Sequence, residues 1–365
     1  MVMGRKSGVS HLVRSDLAAF HGYASAHATG LEGRIWLHAN ESAYPNSMDP
    51  GGTLRRYPHP QPPSLVRSLS SLYGCQSDQL LIGRGSDECI DLLVRSVCTP
   101  NQDAILVTPP VFGMYAVAAR LQMARVFEIP LRDDDAGFVI DPAAIVAAAR
   151  AQPIKLIFLC SPSNPTGGMI AAETIQWIAE QVADRALVVV DEAYIEFSDQ
   201  PSSVALLAAW PNIVVLRTLS KAHALAGARI GCCIAHPDLI ALLRCCQAPY
   251  PLPTPACIVA KNALAPTVMA QTLQQIRQIV YERMCLAEAL SSLPCVRRVY
   301  PSYGNFLLVR FHEIQRALTA LLAHGVVVRD QRNVQQLADA LRITIGTHQQ
   351  QSAILAALEA LGGVP

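Results

Sequence analysis

Residues 186–194 read ALVVVDEAY, and the apolar run in this stretch decides the predicted fold. A continuous apolar run without polar alternation is typical of a parallel strand that is covered on both faces. Helical spacing lies between such runs, as in Ile90, Leu93, Val94 and Val97. The sequence therefore predicts an α/β fold with a mostly parallel sheet covered by helices. The other runs are DAILVTPP (103–110), RVFEIP (125–130), IKLIFLCSP (154–162), NIVVLRTLS (212–220) and ARIGCCIA (228–235).

The domain organisation follows from where this pattern stops. The prolines of YPLPTPA at 250–256 interrupt it, and short strand candidates such as NFLLVRF, VVVRD and LRITIG appear near the end of the chain. We predict an N-terminal arm at 1–50 that belongs to the small domain or a dimer contact, and a large domain at 51–250. A long linking helix at 251–292 and a small C-terminal α+β domain at 293–365 complete the prediction.

Composition narrows the classes of function. The 365 residues carry a net charge of +1 and only 16% are charged, which argues against a nucleic-acid partner or an anionic membrane surface. No stretch approaches the roughly 20 apolar residues of a membrane span, and the first residues show no signal-peptide pattern. The eleven cysteines lack metal-binding spacing. We expect a soluble cytoplasmic protein with reduced thiols and no metal site.

Polar residues follow several of the apolar runs, where open α/β sheets bind ligands. Asn164 follows one run, Asp191 and Tyr194 follow the next, and a third set is Thr218, Ser220 and Lys221. Ser86 opens a predicted helix in GRGSDECIDLL, which suits an anion, although the same residues are ordinary helix-cap chemistry. Together they fit pyridoxal phosphate, because a lysine amine can form a Schiff base with its aldehyde and an aspartate can hold the ring nitrogen protonated.

The same segments carry a family resemblance. SPSNPTG, DEAY and SKAHALAGAR resemble the signatures of the fold-type-I, pyridoxal-phosphate-dependent aminotransferases, with Arg229 eight residues after Lys221. The order of HANE, RYP, RGSDE, PPVFGMY, DEAYIEF, APYPLPTP, RDQ and LRITIGT is similar to that of the histidinol-phosphate aminotransferases. The resemblance extends from about Tyr23 to Thr347 and implies a fold-type-I large domain with a smaller α+β domain.

The resemblance also implies roles for the residues that bind the cofactor. Lys221 would form the aldimine and move the proton, Asp191 would pair with the pyridine nitrogen, and Asn164 and Tyr194 would hydrogen-bond the phenolic oxygen. Phe112 would stack on the ring, although it could be a core residue. The cofactor phosphate would be surrounded by Ser86, Asp87, Thr218, Ser220 and Arg229, and Asp87 could alternatively cap its helix. Tyr57 would reach the phosphate of the partner subunit, which implies a homodimer with shared active sites.

For the substrate, the resemblance implies an anion site formed by Arg342 and Arg329 with the hydroxyl of Tyr23, while Asn164 also lies beside the substrate. The reaction would convert L-histidinol phosphate and 2-oxoglutarate to imidazole acetol phosphate and glutamate by a ping-pong mechanism, in histidine biosynthesis. Arg329 could alternatively form a surface ion pair with Asp330. His223 stands where many relatives have phenylalanine, and it could be a hydrogen-bonding group near the site or a structural histidine.

Other functions remain open at this point. A threonine-phosphate decarboxylase, which is a lyase, would need a similar lysine, aspartate and arginines. An aromatic amino-acid aminotransferase is possible because imidazole and phenyl rings are similar in size. A non-catalytic cofactor-binding module, such as the sensing half of a regulator, would need a DNA-binding appendage that the sequence does not suggest.

Overall fold

A seven-stranded sheet forms the centre of the larger part of the molecule. The structure is a computed structural model that describes residues 8–17, 19–23 and 34–362. The strands of this sheet are β1 (Leu80–Arg84), β2 (Ala104–Val107), β3 (Arg125–Glu128), β6 (Ile154–Cys160), β7 (Leu187–Asp191), β8 (Ile213–Thr218) and β9 (Ile230–Ile234). A hairpin of β4 (Arg132–Asp134) and β5 (Gly137–Val139) lies outside the sheet.

The strand order in the large sheet is β1-β9-β8-β7-β6-β2-β3. Strand β9 is antiparallel to both of its neighbours, and every other neighbouring pair is parallel. This confirms the predicted mostly parallel sheet. Because β6, β7 and β8 run side by side in the same direction, their carboxyl ends meet at one edge.

The apolar run of β7 is buried on both faces, as its composition predicts. Leu187 and Val189 of β7 pack into one core cluster, and Val188 and Val190 pack into the cluster on the other side of the sheet. Successive side chains of a strand point to opposite faces, so a strand covered on both sides has no polar position. Asp191, at the end of the same strand, is the first polar residue.

Helices cover the two faces and link the sheets. They are α1 (Pro63–Tyr73), α2 (Ser86–Val97), α3 (Met114–Leu121), α4 (Pro142–Ala151), α5 (Ala172–Gln181), α6 (Pro237–Cys246), α7 (Thr254–Ala263), α8 (Pro266–Ser291), α9 (Ile314–Ala323) and α10 (His348–Glu359). The single long helix predicted over 251–292 is therefore two helices, α7 and α8. Pro266 explains the break, because proline has no N–H to continue a helix and is favoured at the first helical position.

The smaller part contains an antiparallel sheet with the order β10-β11-β13-β12. Its strands are β10 (Val296–Val299), β11 (Phe306–Phe311), β12 (Arg329–Asp330) and β13 (Ala340–Thr344). Residues of α8, α9 and α10 pack on this sheet in a separate hydrophobic cluster. The strand predicted at VVVRD is limited to Arg329 and Asp330, which pair with β13.

The described N-terminal residues belong with the large sheet. Val9 and Leu12 are buried in the core cluster that also contains residues of α2 and α6. The prediction that the arm joins the small domain is therefore wrong for this part, because these two apolar side chains are buried against the large domain. The predicted arm also includes residues 1–7, 18 and 24–33, which lie outside the described residues.

All eleven cysteines are free thiols. Cys232 and Cys233 of β9 are both fully buried and belong to the clusters on opposite faces of the large sheet. Burial raises the pKa of both thiols well above the usual range, which keeps them protonated. No helix in the part of the chain that the structure describes combines the length and apolar character needed to cross a membrane.

Candidate active site

A cleft of 650 Å³ lies where the carboxyl ends of β6, β7 and β8 face the small sheet. It lies between the start of α2 and strands β12 and β13, so both parts of the molecule form its walls. Its lining includes most of the residues that the sequence predicts for cofactor and substrate: Ser86, Asp87, Phe112, Asn164, Asp191, Tyr194, Thr218, Ser220, Lys221, Arg229, Arg329 and Arg342.

Asp191 is the most deeply buried acid in the cleft, with 3% of its surface exposed. Its Oδ1 accepts a hydrogen bond from the backbone N–H of Ala193 at 3.1 Å, and its Oδ2 accepts one from the Tyr115 hydroxyl at 2.7 Å. Burial raises the pKa of Asp191 to about 6, and both hydrogen bonds oppose that rise. A buried carboxylate that faces a cleft can stabilise a positive ligand atom, such as a protonated ring nitrogen.

Tyr115 is the contact that sequence reasoning missed. It lies on α3, three residues after Phe112 in the quoted segment PPVFGMY, and it is fully buried. The sequence offers one signal: Tyr115 lies on the apolar side of α3, and a tyrosine buried there needs a hydrogen-bond partner for its hydroxyl. Nothing in the sequence indicates that the partner is Asp191, 76 residues further along the chain.

Lys221 follows β8 and is open to the cleft. Its Nζ lies 5.6 Å from the centre of the Tyr194 ring. Partial desolvation by the cleft walls lowers the pKa of this amine, and the positive charges of Arg342 and Arg229 lower it further, while Asp87 and Asp191 act in the opposite sense. A lysine that loses its proton more readily is better suited to act as a nucleophile and a proton carrier.

The start of α2 forms a cradle for an anion with the segment that follows β8. Ser86 is the first residue of this 12-residue helix, whose first N–H groups have no helical acceptor. Thr218 Oγ1 donates to Ser220 Oγ at 3.0 Å, and Arg229 Nη1 donates to the same Ser220 oxygen at 3.5 Å. Arg229 also donates from Nη2 to Asp87 Oδ2 at 3.0 Å. These donors suit the phosphate of pyridoxal phosphate.

Two glycines make this cradle possible. Gly85 precedes α2 with a φ of +80°, and a Cβ there would lie 2.4 Å from Arg229 Nη2. A Cβ on Gly231 in β9 would lie 2.2 Å from the backbone nitrogen of Ser86. Because any side chain at Gly231 would displace the helix start, this backbone contact holds the N–H groups in place. Gly85 caps the helix, and no side-chain cap is present, so Asp87 does not cap α2.

Phe112 forms a wall of the cleft and also contacts the large core. It is partly buried, and its ring meets that of Tyr115 edge to face, with centres 5.7 Å apart and an 85° angle between the planes. The two interpretations of Phe112, as a stacking residue and as a core residue, are therefore compatible. Its position on the cleft wall fits a flat ring bound between α3 and the strand ends.

Asn164, Tyr194 and Arg342 lie close to one another in the cleft lining. Arg342 Nη1 donates a hydrogen bond to Asn164 Oδ1, and its guanidinium carbon lies 5.4 Å from the centre of the Phe306 ring. The Tyr194 ring meets Phe306 edge to face, with centres 5.1 Å apart. Burial raises the pKa of Tyr194, so its phenol remains a hydrogen-bond donor at neutral pH.

Arg329 of β12 and Arg342 of β13 are directly opposite each other in the antiparallel pair, and both line the cleft. The alternative of an ion pair between Arg329 and Asp330 is not what the structure shows, because the Asp330 carboxylate pairs with Arg332 at 2.7 Å. Burial lowers the pKa of Arg342, and the nearby charge of Arg329 lowers it further. Two like charges held opposite each other favour a bound anion.

Three residues that the sequence suggests for the site or its surroundings do not line this cleft: Tyr23, Tyr57 and His223. Tyr57 stacks on Tyr250 with ring centres 4.4 Å apart, and Tyr23 is 71% exposed; neither is among the residues that line the cleft. His223 is buried, and neither of its ring nitrogens has a hydrogen-bond partner among the described residues. Burial lowers the pKa of His223, which fits the structural interpretation of this histidine.

Comparisons with known proteins agree on one family. The family model "Aminotransferase class I and II" matches residues 34–359. The chain is 58% identical over 353 residues to the histidinol-phosphate aminotransferase of Xanthomonas euvesicatoria, covering 97% of each chain. Its fold is similar to the histidinol-phosphate aminotransferase of Clostridium acetobutylicum, with a TM-score of 0.76, 24% identity, and coverage of 85% of this chain and 91% of that one.

A second solved structure has a similar fold. The histidinol-phosphate aminotransferase of Sinorhizobium meliloti was solved in complex with pyridoxal-5'-phosphate. It matches with a TM-score of 0.75 and 22% identity, over 89% of this chain and 90% of that chain. At this identity the similarity concerns the fold.

Proposed function

Because the chain belongs to the class I and II aminotransferases, which depend on pyridoxal 5'-phosphate, we propose that it is a histidinol-phosphate aminotransferase. It transfers the amino group of L-histidinol phosphate to 2-oxoglutarate, giving imidazole acetol phosphate and glutamate, a step of histidine biosynthesis. The bound cofactor supplies an aldehyde that takes up the amino group and a ring that withdraws electrons from the neighbouring carbon.

The observation that carries the choice of substrate is the cross-strand pair of Arg329 and Arg342. Arginine binds phosphate and carboxylate through two parallel N–H bonds. A phosphate monoester carries about −1.5 to −2 charges, so two guanidinium groups match it better than one. Glutamate has two carboxylates, but each carries a single negative charge, so the carboxylate that enters this anion site needs only one guanidinium. Arg342 is the better placed for it because it also contacts Asn164.

On the cofactor side, Lys221 Nζ would hold the aldehyde carbon covalently and, once freed by the substrate amine, remove the proton from the substrate carbon. Asp191 would hold a proton on the ring nitrogen, and Asn164 and Tyr194 would hydrogen-bond the phenolic oxygen. Phe112 would cover one ring face. The phosphate would be held by the start of α2 with the nearby side chains Ser86, Asp87, Thr218, Ser220 and Arg229.

Both half-reactions use the same cleft, so we propose a ping-pong order in which the first keto product leaves before 2-oxoglutarate enters. Lys221 serves each half-reaction in turn as base and acid. Its lowered pKa supports this role, because a larger fraction of the amine is neutral near pH 7 than for an exposed lysine.

The proposed substrate is tested by a donor screen with the purified enzyme, pyridoxal phosphate and 2-oxoglutarate. Histidinol phosphate is compared with histidinol, phenylalanine and threonine phosphate, and both glutamate and carbon dioxide are measured. We expect glutamate from histidinol phosphate at a kcat/KM at least tenfold above the other donors. Carbon dioxide from threonine phosphate would indicate a lyase, and a preference for phenylalanine an aromatic aminotransferase.

We further propose a homodimer in which Tyr57 and Tyr23 complete the partner's cleft. Both lie outside the cleft of their own chain, and the segment from 34 to 57 exposes a group of large apolar side chains that includes Ile35, Leu37, Tyr44 and Met48. Mixing inactive Tyr57→Ala and Lys221→Ala subunits should restore part of the activity, since a mixed dimer has one intact site. Verified mixed dimers without activity would place Tyr57 in its own chain's site.

A cytoplasmic location is also proposed. All eleven cysteines are free thiols, including the buried adjacent pair Cys232 and Cys233, and disulfides are rare in reducing compartments. Fractionation of the native host, with activity followed in each fraction, tests this location.

A further inference from the structure

Tyr115 is held rigidly beneath the cleft. Its ring stacks on that of Phe158, with ring centres 4.5 Å apart and an angle of 12° between the planes. On the side of the cleft, the Phe112 ring contacts the Tyr115 ring edge to face. It is fully buried, and its hydroxyl lies 2.7 Å from Asp191 Oδ2. This packing holds the hydroxyl against the Asp191 carboxylate.

The direction of this hydrogen bond is determined by the two groups. Burial and the negative charge of Asp191 raise the pKa of Tyr115 well above its usual value, so the phenol keeps its proton and donates it. A hydrogen bond donated to a carboxylate stabilises the charged form and makes the carboxylate a weaker base. The neighbouring acids Asp87 and Glu192 act in the opposite sense on Asp191.

We propose that Tyr115 is a positioning residue for the reaction, which acts through Asp191 to keep the shared proton on the cofactor's ring nitrogen. This inference rests on the proposed pairing of Asp191 with that nitrogen. With Oδ2 bound to Tyr115 and Oδ1 bound to the Ala193 N–H, both oxygens are oriented and each keeps lone-pair capacity for a further donor. Without Tyr115, Asp191 is more basic and draws the proton towards itself, which weakens the electron-withdrawing ring.

The test compares Tyr115→Phe with Tyr300→Phe. Tyr300 is a matched control, because it is also buried and donates its hydroxyl to a carboxylate, Asp133, at 2.6 Å, outside the cleft lining. Both variants lose one tyrosine-to-carboxylate hydrogen bond. Only Tyr115→Phe is expected to change Asp191, so a general loss of stability is separated from the proposed role.

The first readout uses the apoenzyme. The Asp191 carboxyl is followed by ¹³C NMR as a function of pH, and its signal is assigned by its loss in Asp191→Asn. We expect the titration midpoint to rise by about one to two pH units in Tyr115→Phe, as the loss of a charge-assisted hydrogen bond predicts. It should be unchanged in Tyr300→Phe. An unchanged midpoint in Tyr115→Phe would overturn the inference.

The second readout is the ¹⁵N chemical shift of the ring nitrogen in enzyme reconstituted with ¹⁵N-labelled pyridoxal phosphate, without any amino donor. We expect a shift towards the unprotonated form in Tyr115→Phe, together with a loss in kcat of roughly ten- to a hundredfold. If Asp191→Asn moves the ¹⁵N signal and Tyr115→Phe does not, the inference alone is wrong.

If Asp191→Asn also leaves the ¹⁵N signal unchanged, the proposed role of Asp191 is wrong and the inference is overturned with it. Both NMR readouts are independent of the amino donor. An enzyme that binds the cofactor but does not use histidinol phosphate would therefore refute the proposed substrate and leave the test of Tyr115 intact.

Discussion

Arg329 and Arg342 are cross-strand partners on β12 and β13, and both side chains line the same cleft. Like charges placed opposite each other in an antiparallel pair destabilise a sheet unless a ligand or a counter-charge separates them. Arg342 donates a hydrogen bond to Asn164, whereas Arg329 lies on β12, the edge strand of the small sheet. This arrangement indicates different tasks for the two arginines.

Arg329→Ala is therefore expected to lower kcat/KM for histidinol phosphate more than for glutamate. The lost charge-assisted contact corresponds to about 1.5 to 3 kcal/mol, or roughly ten- to a hundredfold. Arg342→Ala should lower kcat/KM for both donors, because the proposed anion site binds both of them through Arg342. Single-turnover kinetics with each donor measures the difference, and Arg316→Ala on the exposed face of α9 is the control. Equal losses for both donors in Arg329→Ala would contradict the division of tasks.

Lys221→Ala is expected to abolish the covalent link to the cofactor and to reduce turnover by several orders of magnitude. The chain has only three other lysines, Lys6, Lys155 and Lys261. Borohydride reduction followed by peptide mapping should place the pyridoxyl label on Lys221 in the wild type. Lys155→Ala and Lys261→Ala are the controls and should be labelled normally. A label on either of those residues would refute the assignment.

Gly231→Ala is expected to weaken cofactor binding through the backbone of α2. The new Cβ would lie 2.2 Å from Ser86 N, so the helix start must move. Overpacking of this kind costs about 1 to 3 kcal/mol. If this cost appears as weaker binding of the cofactor phosphate by the start of α2, the cofactor Kd rises roughly five- to a hundredfold. Gly227→Ala is the matched control, because a Cβ there meets no atom within 4 Å. Fluorescence titration of apoenzyme with pyridoxal phosphate measures both.

Asp191→Asn is expected to stabilise the apoenzyme near neutral pH while it removes activity. The folded-state pKa of Asp191 is raised from 3.8 to about 6, so keeping the buried group charged above pH 6 costs about 3 kcal/mol. This cost develops between about pH 4 and 6 and is constant above. The asparagine gives up one of two hydrogen bonds, about 1 kcal/mol, so a net gain of about 2 kcal/mol is expected at pH 8.

Urea denaturation of the apoenzymes at pH 5 and pH 8 measures this gain. The advantage of Asp191→Asn should be smaller at pH 5, because most of the wild-type Asp191 is then protonated in the folded state. A wild-type apoenzyme that is the more stable of the two at pH 8 would show that burial does not penalise the carboxylate.

Much of the fold and of the cleft lining could be predicted from local sequence patterns. The continuous apolar run before Asp191 specifies a strand covered on both faces, and the polar residues after such runs meet because parallel strands end at one edge. Lys221 and Arg229 belong to one short segment, so their proximity to each other is also local.

The features that could not be predicted depend on contacts between distant residues or on single positions. The bond from Tyr115 to Asp191 joins residues 76 positions apart. Val9 and Leu12 are buried against the large sheet, but the sequence around them shows no periodic apolar pattern that would predict this. The break before α8 depends on one proline in an otherwise helical stretch. The partner of Asp330 is Arg332, two residues away, although Arg329 is its neighbour in sequence.

The central claim is that this cleft transfers an amino group from histidinol phosphate in a separate half-reaction. Enzyme loaded with pyridoxal phosphate is mixed with excess histidinol phosphate in the absence of 2-oxoglutarate, and the imidazole acetol phosphate formed is quantified by mass spectrometry. We expect one equivalent per active site, followed by renewed product and equimolar glutamate when 2-oxoglutarate is added. No product, or continued turnover with release of carbon dioxide in the absence of 2-oxoglutarate, would contradict the claim.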